Sequence, residues 1–133
     1  MLSGDEALHL IIGGRYMGKR VYAEKLYGKF EIVYNLENER AENIISSGLI
    51  INLHMGIKYL LKQGVDAQEF FASRLDILRS SVIIGDEISS GIIPVDVFNR
   101  KWRDETGKVY QFLASEAEIV DRVFAGLALR LKG

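Results

Sequence analysis

The chain has 133 residues, 48% hydrophobic and 26% charged, which suits a single α/β-sized domain over residues 1–133. Its 17 basic and 18 acidic residues give a formal charge of −1, which excludes a polycationic surface for nucleic acid. The absence of cysteine excludes disulfides, thiolate catalysis and Cys-based zinc sites. No apolar run approaches the ~20 residues of a membrane span, and the acidic start Met1–Glu6 does not resemble a signal peptide, so a cytoplasmic protein without a membrane partner is expected.

In chain order, Leu8–Ile12 is an apolar run that ends at two glycines and reads as a strand buried on both faces. A helix is predicted from Gly18 to about Tyr27, stopped by Gly28. Glu31–Tyr34 and Leu49–Leu53 read as the second and third strands, with a loop or short helix over Glu37–Asn43 between them. Gly56–Gln63 is weakly helical. Asp66 and Glu69 form a capping-box-like start for a helix whose Ala67, Phe70, Phe71, Leu75 and Leu78 share one face. Ser81–Gly85 is another apolar strand. Asp96–Ser115 is a long amphipathic helix, weakened by Gly107 by about 1 kcal/mol relative to Ala. Two strands close the chain, Ile119–Phe124 and Leu127–Lys132, the second alternating as a half-buried edge strand does.

Strands alternating with helices predict an α/β, P-loop-type three-layer fold, mostly parallel, with a C-terminal edge strand or hairpin. Ligands of such sheets sit at the carboxyl ends of the strands, near Gly13–Lys19, Asn52–His54 and Asp86-Glu87. Gly13, Gly14, Arg15, Tyr16, Met17, Gly18 and Lys19 fit G-x-x-x-x-G-K. Such glycines let backbone N–H groups approach phosphate, the following helix presents its positive end, and the lysine adds a point charge. The next position normally carries a Ser or Thr for magnesium. Here it is Arg20, which is always cationic and has no acceptor atom. Arg20 can pair with phosphate but cannot ligate a metal.

Of the two histidines, His9 lies inside the first strand and reads as a core histidine. His54 follows the third strand and reads as a loop residue, with acid–base capacity as the alternative. Glu87 follows an apolar strand and is a candidate to orient a nucleotide or a metal. Arg100 and Arg103, three apart on one helix, either meet a phosphate or form a solvated face with Asp104.

Two segments carry a resemblance to the CobU-type family of bifunctional cobinamide kinases and cobinamide-phosphate guanylyltransferases. The first is Leu10–Arg20 with Ala23-Glu24, where the family has a strand, G-G-x-x-S-G-K-S and a helix with A-E. The second is Asp86-Glu87-Ile88-Ser89-Ser90-Gly91-Ile92-Ile93-Pro94, then Arg100, Arg103-Asp104, Gly107 and Gln111. The family pattern there is N-E-V-G-x-G-I-V-P, R-x-x-R-D, a Gly and N-Q-x-L-A. The resemblance implies binding of ATP or GTP, a cobinamide-like substrate and self-association. Lys19 and Glu87 would take catalytic roles, Gly13–Arg20 would bind nucleotide, and His54, Arg100 and Arg103 would contact phosphate or substrate. The departures are Met17 and Arg20 for two serines, Asn52 for an acidic residue, and Asp86 and Tyr110 for two asparagines. The chain also lacks most of the segment between the second and third strands, where the family's guanylyl-accepting histidine belongs. Guanylyl transfer is therefore expected to be lost and magnesium is doubtful. The alternative is a non-catalytic binding or regulatory module.

Overall fold

The structure, a computed structural model, describes residues 7–88 and 96–133. The Ser89–Pro94 part of the second motif lies outside them. Among the described residues, six strands form one sheet in the order β2-β3-β4-β1-β5-β6. They are β1 (His9–Gly13), β2 (Val33–Asn35), β3 (Leu49–Ile51), β4 (Val82–Asp86), β5 (Ile119–Phe124) and β6 (Leu127–Lys132). All neighbours run parallel except β5 and β6. The expected α/β fold with its C-terminal antiparallel hairpin is the one observed.

The alternation of side chains along each strand builds two apolar layers. Leu10, Ile50, Ile83 and Val120 face a core shared with helices α2 (Leu53–Lys62), α3 (Ala67–Ala72) and α5 (Val97–Glu116). Ile11, Leu49, Ile51, Val82, Ile84 and Val123 face helix α1 (Lys19–Tyr27), which contributes Ala23. This two-sided burial is why β1, β3 and β4 carry continuous apolar runs.

Local chemistry sets the ends. Gly28, at φ 77°, closes α1, and the Asp96 carboxylate accepts from Phe98 N–H to open α5. Asp66 accepts from Glu69 N–H, as the capping pattern predicts. The helix expected to run from there to Leu78 is instead broken at Ser73-Arg74 into α3 and α4 (Leu75–Leu78). The Ser73 hydroxyl donates to its own Phe70 carbonyl, a local competition that ends α3. β3 also stops earlier than expected. Asn52 takes a left-handed conformation (φ 60°), which turns the chain directly into α2 at Leu53. His54 is consequently a buried helical residue, not part of a loop.

His9 is buried, as a core histidine should be. Its Nδ1 lies 2.6 Å from the Tyr27 hydroxyl and its Nε2 2.6 Å from Asp121 Oδ2. Tyr22 donates to the same carboxylate at 2.8 Å, and Arg130 Nε donates to its other oxygen at 2.6 Å. Burial holds the His9 pKa below the usual value despite the pull of Asp121. Burial alone would raise the Asp121 carboxyl, but hydrogen bonds from Arg130, Tyr22 and His9 outweigh it and hold it low. The cluster ties α1 and β6 to the sheet.

Candidate functional site

The glycine loop leaves the carboxyl end of β1. Gly13 admits no other residue without distortion, since a Cβ there would lie 2.4 Å from the Val123 carbonyl oxygen of β5. Tyr16 and Gly18 both take positive φ, at 61° and 94°, which folds the loop back to the start of α1. The tip is tied to the β5–β6 turn. Gly126 N–H donates to Met17 C=O at 2.9 Å and Ala125 N–H to Met17 Sδ at 3.3 Å.

Lys19 is the first residue of α1 and is only 6% exposed. Its ammonium donates to Gly14 C=O at 2.7 Å and lies 2.8 Å from Asp86 Oδ1. Parallel pairing of β1 with β4 sets Asp86 opposite Gly13, so an acid ending β4 meets the lysine that follows the loop. Asp86 was legible as an acid at a strand end but not as the partner of Lys19.

His54 approaches the same carboxylate from α2. Its Nδ1 accepts the Asp86 backbone N–H at 3.1 Å, and its Nε2 lies 3.4 Å from Asp86 Oδ2. In the neutral ring this leaves the proton on Nε2. Burial lowers the His54 pKa, against the opposing effect of Asp86. Trp102 of α5 stacks beside the ring and donates from Nε1 to His54 C=O at 2.8 Å. Tyr110, also on α5, donates to Asp86 C=O at 2.6 Å, and burial pushes its hydroxyl well above the usual range.

Lys19, His54 and Asp86 border a cavity of about 600 Å³, within the size range of a ligand pocket. Arg15, Tyr16, Met17, Gly18, Lys19 and Arg20 line its loop side, with His54 and Asp86 opposite. The Arg15 guanidinium sits 4.8 Å from the Tyr16 ring centroid. Arg20 is half exposed and lies 3.4 Å from Glu24 on the next helical turn. The Asn52 amide donates to Asn35 Oδ1 at 2.8 Å.

Three sequence candidates lie elsewhere. Glu87 pairs with Arg122 of β5 at 2.9 Å and does not line the cavity. Arg103 lies 3.2 Å from Asp104, and Arg100 is exposed on α5; neither lines the cavity.

The sheet and the cavity at its carboxyl edge define an α/β protein with a ligand-sized site at its glycine loop. The family model for cobinamide kinase / cobinamide phosphate guanyltransferase matches residues 47–131, well over half of the chain. The chain belongs to that family. The match covers β3 to β6 and begins after the glycine loop. No curated protein matches the sequence. Among solved structures, the flagellar accessory protein FlaH from Methanocaldococcus jannaschii aligns at a TM-score of 0.45 and 14% identity, over 96% of this chain and 78% of that one. Among the described residues no helix is long and apolar enough to cross a membrane.

Proposed function

We propose that this chain binds the phosphate tail of ATP or GTP in the glycine-loop cavity, as a family member of cobalamin biosynthesis that has lost guanylyl transfer. The observation that carries the reading is Lys19, a buried residue lining the cavity, with its ammonium bonded to the Gly14 carbonyl of the loop. A phosphate entering there meets Lys19, the start of α1 and the Arg15 and Arg20 side chains. Loss of guanylyl transfer is supported by the chemistry of His54. Its Nδ1 accepts a backbone N–H and its Nε2 carries the proton, so neither nitrogen is a free nucleophile.

Magnesium does not fit these residues. The ion needs oxygen ligands in near-octahedral geometry. Arg20 supplies none, the Asn52 amide is committed to Asn35, and both Asp86 oxygens face cationic or N–H groups. The Arg20 guanidinium supplies positive charge near the phosphates in its place.

Calorimetric titration with ATP and GTP, with and without magnesium, tests the reading. Binding that is unaffected by magnesium and lost in Lys19→Ala is expected. Binding that requires magnesium overturns the metal-free part, and no binding of either nucleotide overturns the whole. The second reading, a non-catalytic binding module, is favoured by the joint change at Arg20 and Asn52. Transfer of the ATP γ-phosphate to cobinamide by the purified chain would exclude it.

A further inference from the structure

We propose that a second pocket, beside the glycine-loop cavity, holds a small organic anion: a phosphomonoester or carboxylate on an apolar body. The pocket measures about 360 Å³ and lies between the loop after β2 and the outer side of α2. Glu37 and Met55 line both pockets, so the two adjoin. That the pocket neighbours a bound nucleotide rests on the nucleotide reading above; its ligand chemistry does not.

The charges around it are unevenly committed. Arg40, Lys58 and Lys62 all line the pocket, and among the described residues none of them is in an ion pair with a carboxylate. Lys58 and Lys62 are one helical turn apart on α2, hence on one face. Their ammoniums rest 4.8 Å from the Trp102 ring and 5.9 Å from the Phe98 ring, contacts weaker than a hydrogen-bonded carboxylate. Of the nearby acids two are engaged, and the third, Glu37, is exposed and lines both pockets. Glu39 accepts from Asn35 N–H at 3.0 Å, and Glu42 accepts from the Tyr59 hydroxyl at 3.0 Å. Three cations against two lining acids, Glu37 and Glu39, leave the concavity with a positive balance, which favours an anionic ligand. Met55 and the Tyr59 ring supply apolar wall for its body.

The methionines separate the two pockets experimentally. Met17 lines the glycine-loop cavity alone, whereas Met55 lines both. In the full chain labelled with ¹³C-methyl methionine, phenyl phosphate is expected to shift the Met55 methyl saturably and leave Met17 in place. The double variant Lys58→Gln/Lys62→Gln should weaken this binding about tenfold, as loss of a charge-assisted contact does. Lys19→Ala should leave it unchanged. A parallel titration with benzoate shows which acid is preferred, the tighter of the two naming the ligand class. A flat Met55 titration with both probes overturns the proposal. So does movement of Met17 in step with Met55 that disappears in Lys19→Ala, and so does unchanged affinity in a double variant that melts like the parent. ATP is read separately at Met17. If ATP leaves Met17 unmoved while phenyl phosphate still shifts Met55, the nucleotide reading fails and this one stands.

Discussion

The Asp86 carboxylate is the residue on which the site turns, because it offsets Lys19, the buried cation that the proposed reading assigns to phosphate. Lys19 and Asp86 are both shielded, so their attraction is only partly screened. An incoming phosphate must share Lys19 with Asp86 and faces repulsion from that acid. Asp86→Asn should therefore tighten magnesium-free ATP binding by about tenfold, the size of one partly buried charge interaction. Weaker binding in that variant, measured calorimetrically, would show that the acid assists the ligand. Tyr110 acts on the same strand end. Tyr110→Phe leaves the Asp86 carbonyl without its buried donor and should cost about 1–2 kcal/mol in chemical denaturation. Gly85 has no room for change either, since a Cβ would fall 2.2 Å from the Tyr110 hydroxyl. Gly85→Ala should destabilise by roughly 1–3 kcal/mol, as overpacking does. The lysine, the loop glycines and the acid at the end of β4 were each legible in the sequence. Their meeting was not, because it depends on pairing between strands 73 positions apart in sequence, from Gly13 to Asp86.

At the scale of elements, α1 and the β5–β6 hairpin depend on the polar cluster around His9. The neutral ring donates to Asp121 and accepts from Tyr27, whose hydroxyl burial pushes to about 12. Both His9 and His54 have pKa values lowered from 6.5 by burial. Below 6.5 the unfolded chain takes up protons that the folded chain refuses, so stability falls as pH drops toward the folded values. The lowered Asp121 pKa adds a further loss below its ordinary value of 3.8. The melting temperature should accordingly decline between pH 7 and pH 5, with a shallower slope in His9→Gln. An equal slope in that variant would rule out His9 as a source. The hairpin itself turns on Ala125 and Gly126, at φ 51° and 78°, the two positive values a type I′ turn requires. Alanine is strained there, and Ala125→Asn should stabilise by about 0.5–1 kcal/mol in thermal melts.

The whole molecule was legible where one physical rule acted alone. Continuous apolar runs gave β1, β3 and β4, because burial on two faces leaves that signature; alternation placed β6, but all six of its residues are exposed, so the expected half-burial is not observed. The rule failed where local chemistry competed with it. The Ser73 break and the left-handed Asn52 changed helix bounds, and the latter moved His54 from an expected loop into the wall of the cavity. Glu87 faces Arg122, 35 positions away in sequence, which no local pattern announces. Two hydrogen bonds to one residue join the hairpin at the edge of the sheet to the site. Met17, at the tip of the glycine loop, lends both its carbonyl and its sulfur to the hairpin turn. The glycine loop is thus anchored at its tip as well as at its two ends. Whatever grips the exposed strand β6 pulls on the cradle through the carbonyl and the thioether of one residue, Met17. Methionine oxidation, which makes that sulfur polar and bulkier, offers a chemical way to slacken the tether.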